Sequence, residues 1–483
     1  METAFILFFI SYHLQCEKIN PKPTRMQIKS RLIVMNFLQF FVWGAWLMTI
    51  ANYWFETKHW GPAEFGAVFS TLGLSSLIMP ALTGILADKY ISAEKLYGLL
   101  HIAGGLFLLI VPQVQSSTTF FWVIFAAMLC YMPTISLANS ISYTVLKNNQ
   151  FDVVKVFPPI RVWGTIGFIA AMWFTNLTNN KATANMFYIS AVAAVLLGLY
   201  SFTMPNCPPQ KLINEKSSAV EKLGLQAFKL FANHKMAMFF IFSMFLGAAL
   251  QLTNMYGDVF LSNYKNVPAY TDSFVVKYST IILSISQMSE TLFILAIPFF
   301  LRKFGIKKVM LISMFAWVLR FALFAYGNPN PLEGLWMIIF SCIVYGMAFD
   351  FFNISGSLFV ETNTDAKIRS SAQGLFMMMT NGFGAVLGSL LSGYVIGKYF
   401  TLKFLNITEL LVYLKTDVNN AAVKNLLLGN SVLTNGTFAS PIFIKEWQPI
   451  WISFALYALL IAIAFGLFFR HKHDTNLYLN EMH

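Results

Sequence analysis

Two carboxylates occur within long apolar stretches of the sequence. Asp350 is the only charged residue between Leu335 and Val360, a segment long enough to cross a bilayer, and Glu290 lies in a second apolar segment. A charge at the centre of a bilayer costs roughly 2.5 to 3.5 kcal/mol on insertion scales, so it needs a partner, a proton or a water-filled cavity. We therefore predict that Asp350 binds a coupled proton, and that Glu290 shares this role or accepts hydrogen bonds from substrate hydroxyls.

Further polar and aromatic residues recur three or four positions apart, so that each set shares one face of a predicted helix. If these faces converge, the cavity offers amides and a carboxylate for hydroxyl groups and two Phe rings for a planar ring system. The candidate binding residues are Arg161, Thr165 and Phe168; Gln251 with Asn254; Gln287 with Glu290; and Tyr345 with Phe349.

Each candidate also has a purely structural alternative. Phe168 and Phe349 can be packing residues in a chain with 49 Phe. Arg161 follows two prolines near a predicted helix end, where it can anchor the helix at the membrane interface. The amides can bridge neighbouring helices, and the two acids can form an ion pair between helices or stay permanently protonated.

The composition indicates a polytopic membrane protein. Of 483 residues, 57% are hydrophobic and 11% are charged, whereas soluble proteins contain about 25% charged residues. The net charge of +12 is interpreted as membrane topology rather than as nucleic-acid binding. The four cysteines have no paired spacing, and neither HExxH nor GxxxxGK[ST] occurs. We therefore expect no metal site, no cofactor, no enzyme activity and no ATP-driven transport.

Twelve apolar segments of about 20 residues or more predict an all-α integral membrane fold. They lie near residues 32–54, 63–87, 95–113, 118–144, 160–177, 185–204, 237–262, 275–301, 307–326, 333–360, 371–399 and 448–469. With a cytoplasmic N-terminus, 23 of the 33 Lys and Arg residues fall on the cytoplasmic side and nine on the outer side. This bias predicts that both termini are cytoplasmic.

The spacing of the segments divides the chain into two six-helix halves. The predicted first half is a cytoplasmic N-terminal segment (1–31) followed by a six-helix bundle (32–204). A cytoplasmic linker (205–236) joins it to the second bundle (237–470), which contains a long outer loop (400–447). A cytoplasmic tail (471–483) follows. Two pseudo-symmetric bundles of this kind are typical of the major facilitator superfamily, whose halves rock about a midplane site.

The loop after the second segment reads GILADKY, and RKFGIKK echoes it after the eighth. Both strings resemble the inner-gate loop of that superfamily, in which an acid and basic side chains hold one half against the other. Gly84, Asp88 and Lys89 are the residues that the resemblance assigns to this gate, although Ile91 stands where the motif usually has glycine.

Longer strings carry a closer resemblance: FLQFFVWGAWL, FPPIRVWGTIGF, GAALQLTNMYG, LSISQMSETLFIL, YGMAFDFFNISGS and SSAQGLFMMMTNGFG. They are similar to the bacterial nucleoside:proton symporters of the NupG type, from about Met26 to the last segment. The resemblance implies a monomeric transporter of the cell inner membrane that imports nucleosides with protons and binds no nucleic acid. It also implies that the candidate residues above line the substrate site.

Two regions depart from this pattern. Residues 1–25 precede the resemblance and are either an extension or a misassigned start. The loop at 400–447 is longer than usual for the family, and we expect it to form a short helix over the outer mouth. Two other functions stay open: a proton-coupled sugar or oligosaccharide symporter, which would use the same amides and acids, and a transporter-like receptor that binds without net flux.

Overall fold

The computed structural model describes residues 25–209, 225–365, 368–428 and 430–471. Residues 1–24, the centre of the predicted linker and all but the first residue of the predicted tail lie outside these ranges. Long helices form most of the described chain. The predicted all-α membrane architecture is therefore confirmed for this part of the protein.

Within the described ranges, nine helices are long and apolar enough to cross a membrane. One of them, Ser279–Tyr326, is 48 residues long and contains two predicted segments. The apolar helix Asn185–Ser201 is shorter, and the first predicted segment is a helix interrupted after Gly44. These elements correspond to the twelve predicted segments, which are numbered below as spans 1 to 12.

Span 1 consists of Arg25–Gly44, Ile50–Asn52 and the π-helix Tyr53–Thr57. Spans 2 to 7 are, in order, Pro62–Lys89, Ala93–Ile110, Ser117–Asn148, Val153–Leu177, Asn185–Ser201 and His234–Asn263. Spans 8 and 9 are the two parts of Ser279–Tyr326, span 10 is Leu335–Asn363, span 11 consists of Arg369–Met377, the π-helix Met378–Gly384 and Ala385–Tyr399, and span 12 is Trp447–Phe468. Shorter helical pieces are Val111–Gln113, Leu225–Ala232, Tyr264–Asn266 and Phe274–Lys277.

Spans 8 and 9 are joined by a kink without an intervening loop. Gly305 has φ 74° and ψ 167°, a conformation that is essentially restricted to glycine. The predicted second inner-gate string RKFGIKK therefore forms the kink itself. Its Lys307 donates a hydrogen bond of 2.9 Å to the carbonyl of Gly466 on span 12.

Helix pairs hold each half together, and a few other pairs join the two halves. Span 1 packs on span 5 and span 3 on span 6 within the first half, while span 7 packs on span 11 within the second. Between the halves, span 2 packs on span 11, span 5 on the Ser279–Tyr326 helix, and Ile50–Asn52 on span 7. A site shared by both halves must lie among these helices.

The chain between spans 11 and 12 contains more than the short helix that the sequence predicts. It contains an antiparallel pair of strands, β1 (Thr401–Asn406) and β2 (Thr437–Lys445), and between them the helices Ile407–Leu414 and Ala421–Leu427. A small apolar core formed by Phe404, Leu410, Phe438 and Ile442 holds these elements together. We call residues 401–446 the hairpin loop, the end of the bundle that carries it the hairpin end, and the opposite end the linker end.

Candidate functional site

Span 10 carries the acid that is predicted to bind a proton. Asp350 is 4% exposed, and its Oδ2 atom has no hydrogen-bond partner among the described residues. On the same helix the rings of Tyr345 and Phe349 stack, with centroids 5.8 Å apart and an interplanar angle of 5°. Span 10 therefore combines an acceptor that lacks a donor with a flat aromatic pair.

A close helix contact brings the second acid to the same region. A Cβ atom at Gly346 would lie 2.6 Å from the backbone of Ser289 and 2.7 Å from the backbone nitrogen of Glu290, so glycine is required where spans 8 and 10 meet. Glu290 consequently lies within electrostatic range of Asp350. Repulsion between two such carboxylates is relieved when one of them carries a proton.

The amides of spans 7 and 8 leave acceptors unused. Gln251 and Gln287 are both buried, and the Oε1 atom of each has no hydrogen-bond partner among the described residues. Asn254, one turn after Gln251, is half-buried. An unsatisfied buried acceptor costs about 1–3 kcal/mol of free energy. A bound molecule that donates hydrogen bonds to the Gln251 and Gln287 side chains would recover this cost.

Span 5 places the predicted cation in the first half. The guanidinium carbon of Arg161 lies 4.0 Å from the centroid of the Phe40 ring, and Thr165, one turn later, is half-buried. Arg161 and Glu290 interact electrostatically across the two halves. A basic side chain of the first half and an acidic side chain of the second half are therefore within electrostatic range of each other.

The two predicted stacking residues are in different environments. Phe168 is 9% exposed and meets the ring of Trp43 edge-on, with centroids 6.2 Å apart. Phe349 is half-buried and lines a partly open cavity with about 270 Å³ of empty space, open solvent included. Within the described chain no ring contact joins Phe168 to Phe349, so any molecule bound between them would have to fill the space that separates the halves.

The cavity beside Phe349 also has polar walls that the sequence interpretation missed. Asn353, Thr380 and Asn381 line it together with apolar residues of spans 7, 9 and 10. Thr380 and Asn381 belong to the π-helix Met378–Gly384, and such irregular turns are frequent at functional sites. The signal was present, because all three polar residues fall within strings that carried the family resemblance.

The predicted inner-gate residues lie at the linker end of span 2, away from these groups. A Cβ atom at Gly84 would meet open space, and Lys89 is half-buried. The side chain of Asp88 lies outside the part of the structure that is described. The gate assignment therefore stays a prediction.

Another buried acid, Asp258 on span 7, was not among the predicted residues. It is 1% exposed and accepts hydrogen bonds from Ser279 and Thr280, each 2.8 Å long. From the first half, Asn52 donates to it and the Nζ atom of Lys181 lies 3.6 Å away. The signal was the one used for Asp350, a carboxylate inside a predicted span. These residues form a polar junction between the halves at the hairpin end.

Two further contacts join the halves at the hairpin end, and the hairpin loop makes one of them. Glu56, at the end of span 1, forms an ion pair of 2.7 Å with Lys265 of the second half. The Nζ atom of Lys445, on β2, lies 3.3 Å from the centroid of the Phe55 ring. Burial lowers the pKa of Lys445 to about 7, and the nearby charge of Glu56 opposes this shift. The loop thus contacts the end of span 1 as well as its own half.

Comparison with known proteins gives a consistent picture. The family described as nucleoside H⁺ symporter matches residues 26–474. The chain is 46% identical over 448 residues to the nucleoside permease NupG of Escherichia coli (strain K12), which covers 93% of this chain and 97% of the relative. It is 45% identical over 452 residues to the xanthosine permease of the same organism, with the same coverage.

Solved structures give the same match. A crystal structure of the nucleoside transporter NupG has a TM-score of 0.78 and 45% identity, covering 92% of this chain and 100% of that chain. An aspartate-to-alanine mutant of the same transporter has a TM-score of 0.80 and 44% identity at the same coverage. A bacterial homologue of the lysosomal transporter Spinster, at 13% identity and a TM-score of 0.65, covering 95% of this chain and 98% of that chain, shares the fold alone.

Proposed function

Because the chain belongs to the nucleoside H⁺ symporter family, we propose that it imports nucleosides together with protons through a site between its two halves. The observation that carries this proposal is the set of buried acceptors without donors in the second half, on Gln251, Gln287 and Asp350. Ribose hydroxyls would donate hydrogen bonds to the two amide oxygens, and a proton would bind the carboxylate. Aromatic rings next to it supply a surface for the base.

Each acid has a preferred role. Asp350 takes up the coupled proton, because its Oδ2 atom is buried and unpartnered. Glu290 accepts hydrogen bonds from the ribose and interacts with Arg161 across the halves. The roles can be exchanged or shared, since the two carboxylates interact with each other.

The remaining candidates line the same site. Gln251, Asn254 and Gln287 bind hydroxyl groups, while Arg161 and Thr165 face them from span 5. The rings of Phe168, Tyr345 and Phe349 contact the base. The stacked pair on span 10 supports this assignment more directly than Phe168, whose ring is almost covered.

The transport cycle is alternating access in a multi-pass protein of the inner membrane. With both termini cytoplasmic, the hairpin end faces outward, and the junction around Asp258 closes that side. Opening the outer side requires this junction to separate, and Gly84, Asp88 and Lys89 then hold the linker end closed. Protonation and substrate binding together favour return to the inward-facing state by linkage. A monomer is sufficient for this cycle, because each chain contains both halves.

The preferred base is left open by the comparisons. The nucleoside permease and the xanthosine permease are 46% and 45% identical to this chain, so similarity does not choose between them. Uptake of uridine, adenosine and xanthosine must be measured side by side.

The test is uptake into proteoliposomes with an imposed pH gradient, acidic outside. We expect radiolabelled nucleoside to accumulate above its external concentration, and a protonophore to abolish that accumulation. Free uracil should compete poorly with uridine, because amides and an acid that bind hydroxyls would be left unpaired. Equal competition by uracil and uridine would contradict the ribose assignment.

Two results would favour the alternative functions. Stronger competition by glucose or a disaccharide than by uridine would indicate a sugar symporter. Saturable nucleoside binding without flux under any gradient would indicate a receptor.

Phe168→Leu and Phe349→Leu variants test the aromatic roles, since loss of stacking lowers affinity, whereas loss of packing alone lowers thermal stability.

A further inference from the structure

Span 9 contains a fully buried arginine that none of the roles above uses. Arg320 is 0% exposed, and no ion pair among the described residues includes it. Its NH1 atom donates a hydrogen bond of 2.7 Å to the carbonyl of Ser341, and the hydroxyl of Ser341 donates one of 2.9 Å to the carbonyl of Arg320. This reciprocal pair fixes the arginine between spans 9 and 10. A buried cation without a carboxylate partner requires another source of stabilisation.

Two aromatic rings lie against the guanidinium group. Its Cζ atom is 4.7 Å from the ring centroid of Tyr345 and 5.0 Å from that of Phe324. Both distances are within the range in which a cation is attracted to the face of an aromatic ring. The two rings have different positions, since Tyr345 belongs to the proposed site and Phe324 packs on Phe260 and Trp451 instead.

Tyr345 links the arginine to the substrate site. One side of the tyrosine receives Arg320, and its ring stacks on Phe349, which lines the cavity. Trp317 holds the tyrosine ring edge-on, with centroids 5.9 Å apart. A shift of the tyrosine ring would therefore change the position of the Phe349 ring.

We infer that Arg320 is a positioning residue that fixes the Tyr345–Phe349 pair and thereby sets nucleoside affinity without touching the substrate. This inference rests on the proposed function, because it assumes that the pair contacts the base. Arg320 is suited to the task because its planar guanidinium group stacks on a ring and its NH1 donates to the Ser341 carbonyl at the same time, which a lysine ammonium cannot reproduce.

The experiment measures uridine affinity and melting temperature on the same purified samples. Arg320→Met keeps a long apolar side chain and should weaken uridine binding about tenfold, while Arg320→Lys keeps the charge and should weaken it about threefold. Phe324→Leu is the matched control, because it removes the other ring under the same guanidinium group. It should lower the melting temperature but leave affinity within about twofold of the unmutated protein.

A double-mutant cycle tests whether the effect passes through Tyr345. In a Tyr345→Leu background the additional loss from Arg320→Met should be less than about threefold. An equal tenfold loss in both backgrounds would overturn the inference, as would full affinity in Arg320→Met or an equal affinity loss in Phe324→Leu. If Arg320→Met fails to fold, full affinity in Arg320→Lys overturns it instead.

The same measurements separate this inference from the proposed function. Unmutated protein that neither binds nor transports a nucleoside overturns both. Unmutated protein that binds uridine, together with arginine variants that bind it equally well, overturns the positioning role of Arg320 alone.

Discussion

Two aspartates are buried in the described part of the second half, and their surroundings are opposite. Asp258 accepts hydrogen bonds from Asn52, Ser279 and Thr280 and has Lys181 beside it. Asp350 has an oxygen without any partner among the described residues. Both are carboxylates in apolar helices, so their residue type and local sequence do not distinguish them.

The difference separates a group that holds the structure from a group available to a ligand. Asp258 already has several hydrogen-bond donors and a cation beside it, and these partners come from both halves of the protein. A buried carboxylate oxygen without a donor gains most when a proton or a substrate hydroxyl arrives. We therefore propose that Asp258 closes the hairpin end and that Asp350 couples transport to protons.

The largest expected effect is at Asp350. An Asp350→Asn variant should bind and exchange nucleosides but should lose accumulation against a concentration gradient, because an amide cannot take up the coupled proton. Counterflow and pH-driven uptake in proteoliposomes measure the two activities separately. Normal uphill uptake by this variant would contradict the assignment, and loss of counterflow as well would show that Asp350 also contacts substrate.

The next effect is at Asp258. An Asp258→Ala variant leaves Lys181 without its carboxylate, and breaking a buried pair in this way costs about 3–5 kcal/mol. Because the partners lie on opposite halves, this cost falls on the state in which the hairpin end is closed. We expect a lower melting temperature and faster labelling of an introduced Ala51→Cys thiol, because Ala51 is fully buried next to Asn52 and has no side-chain hydrogen bond to lose.

The control for this prediction is Glu56→Gln, which weakens the partly exposed pair with Lys265. Such pairs contribute at most about 1 kcal/mol, so labelling should change little. Equal labelling of the two variants would show that the Asp258 cluster does not control closure.

A smaller effect is expected at the unpaired amides. Gln287→Leu should weaken uridine binding about tenfold to a hundredfold, which corresponds to about 1.4–2.8 kcal/mol. It should not lower the melting temperature, because it removes an acceptor that is unsatisfied without substrate. Gln39→Leu is the matched control in the first half, since its side-chain carbonyl already accepts from Tyr97 and is 2.8 Å from His101. Gln39→Leu should lower the melting temperature and leave affinity unchanged.

The smallest effect concerns pH at the hairpin end. Lys445 has a pKa of about 7 in the closed state, against an ordinary value of 10.5. When the junction opens and the lysine is hydrated, the open state binds more protons between these pH values, so the closed state gains stability as pH rises. The gain is about 1 kcal/mol per pH unit, and below about pH 7 it disappears because the lysine is charged in both states.

The measurement is the labelling rate of the same introduced cysteine at pH 7.5 and 8.5, corrected for thiol reactivity with a small peptide. Labelling should be slower at the higher pH. A Lys445→Met variant should lose this dependence, while Glu56 and Lys265 stay in place. An unchanged pH dependence in Lys445→Met would assign it to another group.

Much of the fold could be predicted from the sequence. Apolar length and charge distribution located all twelve spans. The predicted and observed ends differ by a few residues, except that spans 1 and 5 begin at Arg25 and Val153 rather than near residues 32 and 160. The hairpin loop was missed in its details, because its strands pair across more than 30 residues. Register between distant strands leaves little trace in local composition.

The sequence by itself determined the membrane class, the number of spans, the family and the presence of acids within apolar helices. Hydropathy and family strings are local properties, and a helix in a bilayer satisfies its own backbone, so no distant contact is needed to recognise it. Only the tertiary structure decided which buried polar groups are satisfied. Asp258 is paired with Asn52, 206 residues away, and Arg320 lies over Tyr345 on another helix. Such partners are set by how helices pack, because a side chain's hydrogen bonds depend on its neighbours in space rather than in sequence.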